Sequence, residues 1–232
     1  MLTDADKKFG RWGLQAFFDR GQGEIDRAME TATRLGYPSG RECALDFGCG
    51  VGRLTRAMAT YFGHCDGVDI AESMVRRARE LNADVPACTF LLNDRPDLRM
   101  FEDDRFDFVF TTQVLMHMPT HAIITGYIAE FLRVIRPDGI AVFQLLSHAP
   151  VLDRVQPRRR VCELLRKPGV PEQMLFTKFG YAPMNIRFFP ETDVRRFVES
   201  IGGKILEVEG HTIPAMLPGT HRISRTPYMT RA

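Results

Sequence analysis

The sequence predicts a doubly wound α/β fold, in which helices cover both faces of one mainly parallel sheet. Three observations support this prediction. Short apolar segments alternate with helical segments through residues 43–146. Several of these apolar segments are continuous runs, which is typical of parallel strands that are buried on both faces. One of them leads directly into a turn with three glycines, after which a helix begins.

Each element is predicted from the spacing of its apolar residues. Residues 5–36 have helical spacing, and residues 37–40 form a loop. Further strands are predicted at 43–47, 65–70, 89–92, 106–112 and 140–146, and further helices at 53–62, 73–82 and 121–135. Residues 136–139 (Arg-Pro-Asp-Gly) are predicted to form a turn before the strand at 140.

The alternation of strands and helices stops after Ser147. Residues 148–187 are rich in Pro, Arg and Met, and we interpret them as a lid inserted over the carboxyl ends of the strands, where such sheets bind ligands. A helix at 191–200 and strands at 204–210 and 227–232 follow. We therefore expect one domain over residues 1–232, with a helical cap at 1–38 and a lid at 148–187.

Composition excludes several classes of protein. The formal net charge of +2 is too small to indicate a DNA partner, and no apolar run is long enough to span a bilayer. The N-terminus lacks the pattern of a secretory leader. Five cysteines without a C-x-x-C pair argue against a disulfide framework and a zinc site, so we expect no metal and a cytoplasmic protein.

The most informative segment is Asp46-Phe47-Gly48-Cys49-Gly50-Val51-Gly52. Its glycines alternate as G-x-G-x-G, whereas the dinucleotide-binding fingerprint is G-x-G-x-x-G. Asp69 ends the next predicted strand, where a carboxylate can accept hydrogen bonds from both hydroxyls of a ribose. Proteins that bind NAD use the same device, so an NAD(P)-dependent oxidoreductase stays open as an alternative.

These motifs, together with Leu92-Asn93-Asp94-Arg95 and with residues 132–139, resemble the class I S-adenosylmethionine-dependent methyltransferases, in particular the type 11, 12 and 25 small-molecule enzymes. The resemblance is strong over residues 40–146 and loose over 188–232. It implies a seven-stranded sheet of order 3-2-1-4-5-7-6 whose last strand is antiparallel. It also implies S-adenosylmethionine as cofactor and S-adenosylhomocysteine as product.

The resemblance assigns roles to individual residues. Asp46 would face the cofactor's ammonium group through water, Asp69 would bind the ribose, and Asp94 would accept from the adenine amino group. Arg53 would hold the cofactor's carboxylate or form a surface salt bridge. The complete set of expected cofactor-binding residues is Asp46, Gly48, Cys49, Gly50, Arg53, Asp69, Ile70, Met74, Asn93, Asp94, Arg95 and Gln113.

Methyl transfer from a sulfonium needs alignment more than proton transfer, because the methyl group is already activated. A base is required only when the nucleophile is a hydroxyl or a protonated amine. The candidates near the expected site are His117, His148, Tyr181 and Gln113. We assign the base to His117 or His148, since imidazole has a suitable pKa. The alternative for His117 is a histidine that caps the loop or contacts the cofactor without moving a proton.

The sequence thus predicts an enzyme that methylates an O, N or C atom of a small-molecule acceptor, without a DNA or membrane partner. Thr111-Thr112-Gln113-Val114 stands where nucleic-acid amino-methyltransferases carry an Asn/Asp-Pro-Pro-aromatic tetrad. A protein or RNA acceptor stays open, as does a non-catalytic subunit that binds S-adenosylmethionine.

Overall fold

The computed structural model describes residues 13–155, 160, 164, 186–215 and 219–232. The first twelve residues of the predicted cap and most of the predicted lid lie outside the described residues. In chain order the elements are α1 (Leu14–Arg34), β1 (Cys43–Phe47), α2 (Arg53–Met58), β2 (His64–Asp69), α3 (Glu72–Leu81), β3 (Cys88–Leu92), β4 (Phe106–Thr111), a 3₁₀ helix (Leu115–His117), α4 (His121–Val134), β5 (Ile135–Phe143), β6 (Leu145–His148), α5 (Val151–Val155), α6 (Glu191–Ser200), β7 (Gly203–Pro214) and β8 (His221–Arg231).

The predicted doubly wound sheet is confirmed. Strands β3, β2, β1, β4 and β5 lie side by side in that order and pair in parallel. The next strand, β8, pairs antiparallel with β5 on one side and with β7 on the other. The expected order 3-2-1-4-5-7-6 is therefore present, with β7 and β8 as its sixth and seventh strands. The short β6 is an addition that also pairs with β8.

Helices cover both faces of the sheet because side chains alternate along each strand. On β5, Ala141 and Phe143 pack in one apolar cluster with α4 and α6. Ile140 and Val142 pack in the other, with α1 and α2. The α1 helix contributes Ile25, Ala28, Met29 and Ala32 to this second cluster.

The predicted turn at residues 136–139 is wrong, because these residues belong to β5. Ile135 already pairs with Phe106, and the register of β5 on β4 shifts before Phe108. Gly139 lies so close to β4 that a β-carbon there would be 2.8 Å from the carbonyl oxygen of Asp107. The Pro-Asp-Gly sequence therefore forms an irregularity within a strand. Proline and glycine inside strands commonly mark bulges or close backbone approaches of this kind.

The predicted helix at 53–62 is also too long, since α2 ends at Met58 and turns follow it. In the other direction, β7 and β8 extend well beyond the predicted strands at 204–210 and 227–232. Each of these long strands pairs with the other over most of its length. Pairing between strands thus extends them past the point where their apolar pattern fades.

Candidate functional site

The glycine turn after β1 forms a tight corner at the carboxyl end of the sheet. The backbone N–H groups of Gly48 and Cys49 both donate to the carbonyl oxygen of Val68, at 2.8 and 2.9 Å. Gly48 has a φ of 77°, and a β-carbon there would be 2.3 Å from Cγ2 of Val114. Only glycine fits this position, because both the backbone conformation and the space exclude a side chain.

Asp69 ends β2 next to this corner. Its Oδ2 accepts a hydrogen bond from the N–H of Gly50 at 2.9 Å, and its Oδ1 accepts from the N–H of Ala71 at 2.8 Å. Each carboxylate oxygen can accept a second bond, so the group is held in place by the backbone and still able to bind two donors. This is the geometry that a ribose diol requires.

A cavity of about 480 Å³ opens between the corner and the ends of β2, β3 and β4. Its lining includes eight of the residues singled out from the sequence: Gly48, Asp69, Ile70, Asn93, Asp94, Arg95, Gln113 and His117. It also includes residues that the sequence analysis did not single out: Phe47, Val68, Pro96, Val114, Met118, Pro119, Ile123 and Tyr127. The cavity is therefore polar at the strand ends and apolar elsewhere.

The loop after β3 presents a second carboxylate to the cavity. The Asn93 side chain is buried, and its Nδ2 donates to the carbonyl oxygen of Asp97 at 3.0 Å. Its backbone N–H donates to the carbonyl oxygen of Asp69, also at 3.0 Å. Asn93 thus shapes the loop from inside, and this leaves the neighbouring Asp94 exposed beside the cavity.

Apolar side chains form much of the rest of the cavity lining. Ile70 is 77% exposed although it lies on the cavity, which is unusual for a large aliphatic residue. Tyr127 packs its ring 4.5 Å from that of Phe47 and donates its hydroxyl to the carbonyl oxygen of Arg95. Burial raises the pKa of the Tyr127 hydroxyl, so it acts as a donor in this contact. The cavity therefore offers a ligand both apolar surface and carboxylates.

Asp46 does not line the cavity. Its carboxylate is buried on the other face of β1, where Oδ2 accepts from the hydroxyl of Thr55 at 2.6 Å. Burial raises the pKa of Asp46 to about 7. The direction of the side chain follows from strand geometry, because Phe47 lines the cavity and its neighbour must point the opposite way.

Arg53, at the start of α2, also faces α1. Its Nη2 forms a salt bridge with Glu24 at 2.9 Å, and its guanidinium lies 5.8 Å from the ring centre of Phe17. A β-carbon on Gly21 would be 2.6 Å from Cγ of Arg53, so α1 and α2 are in close contact here. Arg53 therefore forms a partly buried salt bridge, and α1 supplies the acid.

The other predicted residues lie outside the cavity. Cys49 is buried among apolar residues of α3 and β3, and burial raises the pKa of its thiol, which disfavours a reactive thiolate. Gly50 contributes its N–H to Asp69 rather than to the lining. Met74 is half-exposed on α3, and His148 is exposed at the end of β6.

Of the two candidate bases, His117 lies on the cavity wall, at the end of the 3₁₀ helix after β4. Its backbone N–H donates to the carbonyl oxygen of Val114 at 2.9 Å, which fixes the turn. Within the part of the chain that the structure describes, no cluster of His, Cys, Asp or Glu could hold a metal ion. Among these same residues, no helix has the length and apolar character needed to cross a membrane.

Comparison with known proteins identifies this arrangement. Residues 45–143, which include the corner, Asp69 and the cavity-lining loops, match a family model described as a methyltransferase domain. These residues are a class I methyltransferase domain. The resemblance inferred from the sequence motifs is therefore confirmed.

Two curated relatives each match less than half of this chain. The 2-methyl-6-phytyl-1,4-hydroquinone methyltransferase of Synechocystis sp. is 36% identical over 99 residues, which is 42% of this chain and 30% of that protein. The chloroplastic tocopherol O-methyltransferase of Arabidopsis thaliana is 32% identical over 108 residues, or 45% of this chain and 30% of that protein. The matched segments thus span about 30% of the length of these relatives.

A solved structure is similar over nearly the whole chain. It is the magnesium protoporphyrin IX methyltransferase from Synechocystis, crystallised with bound S-adenosylhomocysteine. The TM-score is 0.60 at 22% identity, and the match covers 97% of this chain and 90% of that one. At this identity the likeness establishes that the methyltransferase domain shares the fold.

Proposed function

We propose that this protein is an S-adenosylmethionine-dependent methyltransferase that acts on an O, N or C nucleophile of a small-molecule acceptor. The observation that carries the proposal is Asp69, which two backbone N–H groups fix at the edge of a cavity and which can still accept two further hydrogen bonds. The curated relatives, whose names describe a hydroquinone and a tocopherol methyltransferase, support a small-molecule acceptor.

The residues of the cavity fit the cofactor. Asp69 would accept hydrogen bonds from the ribose hydroxyls, and Asp94 would accept one from the adenine amino group. Ile70 would cover one face of the adenine ring. The methionine half would lie at the glycine corner, where a β-carbon on Gly48 would strike Val114 and where Gln113 faces the cavity. We keep Asn93 and Arg95 in this binding set, as parts of the loop that presents Asp94.

The remaining predicted residues do not line the cavity and would act on the cofactor indirectly. Asp46 and Arg53 would influence the charged amino-acid end of the cofactor electrostatically, and Gly50 would hold Asp69 in place for the ribose. Cys49 and Met74 would support the corner and α3. They stay part of the proposed binding set on the strength of the sequence motif.

When bound, S-adenosylmethionine supplies an activated methyl group, which the acceptor's nucleophile takes in line with the breaking carbon–sulfur bond to leave S-adenosylhomocysteine. The protein's part is to align the acceptor and to exclude water. His117 is the proposed base where the acceptor must lose a proton, because it is the candidate that lies on the cavity wall. His148 is the second candidate, from its position beyond β5 and β6.

We further propose that the domain spans residues 1–232, with residues 1–38 as a cap and 148–187 as a lid over the acceptor site. The described part of the cap packs α1 onto α2, next to the glycine corner. The scattered cysteines favour a cytoplasmic setting.

Calorimetric titration tests the cofactor assignment. We expect the protein to bind S-adenosylhomocysteine, and to bind NADH at least about a hundredfold more weakly, because the G-x-G-x-G spacing differs from the pyrophosphate-binding fingerprint. Tighter binding of NADH than of S-adenosylhomocysteine would contradict the proposal and favour an NAD(P)-dependent oxidoreductase. Absence of binding to either ligand would contradict the proposal.

The Asp69→Asn variant tests the residue that carries the proposal. An amide keeps one acceptor oxygen but loses the charge, so we expect affinity for S-adenosylhomocysteine to fall about ten- to hundredfold. Asp84→Asn is the matched control, because Asp84 is an exposed carboxylate that pairs with Arg56 away from the cavity. Equal affinities for the two variants would show that Asp69 does not bind the ligand.

A further inference from the structure

The turn after β4 has an unusual backbone conformation next to the glycine corner. Gln113 has a φ of 58°, which residues with a β-carbon rarely adopt and which costs free energy. Its side chain is exposed and lines the cavity. The next residue, Val114, packs on Gly48 so closely that it excludes a β-carbon there. The conformation of this strained turn therefore determines how Val114 and Gln113 are placed relative to the glycine corner.

One side chain from the neighbouring strand holds the turn. Gln144 follows β5, and its backbone N–H donates to the carbonyl oxygen of Thr111 at 3.0 Å. Its Oε1 accepts from the hydroxyl of Thr112 at 3.0 Å and from the N–H of Gln113 at 2.9 Å. Its Nε2 donates to Oγ of Ser224, a fully buried residue of β8, at 2.9 Å.

These contacts leave no freedom in the orientation of the Gln144 amide. The oxygen must face the N–H of Gln113, and the nitrogen is then directed at Ser224. Gln144 itself does not line the cavity. Any effect of Gln144 on a ligand must therefore pass through the turn that it holds.

We propose that Gln144 is a positioning residue, which keeps Gln113 in its left-handed conformation so that the turn contacts the amino-acid half of the bound cofactor. The inference rests on the proposed function, since it presumes that S-adenosylmethionine occupies the cavity. The sequence motif did not single out Gln144.

The expected effect is confined to one end of the ligand. Without the two bonds to Oε1, the strain at Gln113 is no longer offset by them, and the turn relaxes away from Gly48. The adenosine half lies against Asp69 and Asp94, which Gln144 does not touch. The affinity for a ligand that lacks the amino-acid half should therefore stay unchanged.

The experiment compares two ligands on the full chain by calorimetric titration. S-adenosylhomocysteine carries the amino-acid half, and 5′-methylthioadenosine keeps the adenosine and the thioether but lacks it. For Gln144→Met, which has similar volume and no hydrogen-bonding amide, we expect affinity for S-adenosylhomocysteine to fall about tenfold. Affinity for 5′-methylthioadenosine should change by less than about twofold.

Two further variants separate positioning from general support. Gln144→Glu keeps an oxygen for Thr112 and Gln113, and the Ser224 hydroxyl can rotate to donate, so its affinity should return to within about threefold of the wild type. In a Gln113→Gly background the turn is no longer strained. Adding Gln144→Met should therefore lower the affinity for S-adenosylhomocysteine by less than it does in the wild-type background. Thermal unfolding verifies that each variant is folded.

The outcomes are distinguishable. Equal losses for both ligands in Gln144→Met, or no loss for either, would overturn the positioning role. A wild-type protein that binds neither ligand would instead refute the proposed function, and this is seen before any variant is compared.

Discussion

A single β-carbon decides whether the turn after β1 can close. Gly48→Ala combines a left-handed backbone with a β-carbon 2.3 Å from Val114, whereas Gly50→Ala, at a φ of 55°, meets no atom within 4 Å. We expect Gly48→Ala to lower the free energy of unfolding by about 3 kcal/mol, and Gly50→Ala by only about 1 kcal/mol from backbone strain. Urea unfolding measures both. Equal losses would mean that Val114 moves aside without cost.

The buried carboxyl of Asp46 makes stability depend on pH. Burial raises its pKa from 3.8 to about 7, so between these values the unfolded chain is ionised while the folded one still holds the proton. Asp46 thus lowers stability progressively as pH rises through this window, by up to about 1.4 kcal/mol per pH unit, and not further above pH 7.

Asp46→Asn removes this titration and keeps an acceptor for Thr55. Relative to the wild type, we expect the variant to gain stability as pH rises from 5 to 7 and the difference to be constant above that. Unfolding in urea at a series of pH values gives both curves. Parallel curves would show that the Asp46 carboxyl does not hold its proton in the folded protein.

At the scale of elements, one carboxylate ties three strands together at the end opposite the cavity. Asp107 of β4 is buried, and its Oδ2 accepts from the N–H groups of Glu42 and Cys43, both at 2.8 Å. Its Oδ1 accepts from Nη1 of Arg136 in β5 at 2.9 Å. The beginnings of β1, β4 and β5 therefore share a single anchor.

Removal of this anchor should be costly. We expect Asp107→Ala to lower the free energy of unfolding by about 3–5 kcal/mol, because buried N–H groups lose their acceptor. Glu42→Ala removes a mostly exposed partner of the same Arg136 and should cost no more than about 1 kcal/mol. Chemical unfolding of the two variants provides the comparison, and a loss below 1 kcal/mol for Asp107→Ala would contradict the role of Asp107.

The predictable part of the structure is the part that local patterns determine. Apolar runs and the glycine turn predicted β1 and β2. They also predicted the position of Asp69, because a residue at the carboxyl end of a parallel strand lies at the edge of the sheet where ligands bind. The strand through residues 136–139 was missed because pairing with β4 overrides the local preference of Pro-Asp-Gly for a turn.

The site shows the same division. Gly48, Asp69 and Asp94 belong to contiguous motifs, and the structure places all three on the cavity. Tyr127 and Gln144 are distant in sequence from those motifs, and their roles depend on packing and hydrogen bonds between elements. For Asp46, alternation along β1 would have indicated that it and Phe47 face opposite sides.

At the scale of the whole molecule, β1 and β4, which end at the cavity, contribute side chains to both apolar clusters. The sheet is shared by the two clusters, so we expect one cooperative unfolding transition that a ligand shifts as a whole. S-adenosylhomocysteine at a hundred times its Kd should stabilise the protein by about 2.7 kcal/mol and raise Tm by about 5–10 °C. Differential scanning calorimetry would reveal two separate transitions if the clusters unfolded independently.

The position of β8 has a consequence for how the protein can be made. Residues 221–231 fill the slot between β5 and β7, so both neighbours keep an open hydrogen-bonding edge until this stretch has left the ribosome. Exposed edges of this kind invite pairing between chains. A recombinant fragment that stops before residue 221 should therefore accumulate in inclusion bodies, even though every residue of the glycine corner and of the cavity is present in it.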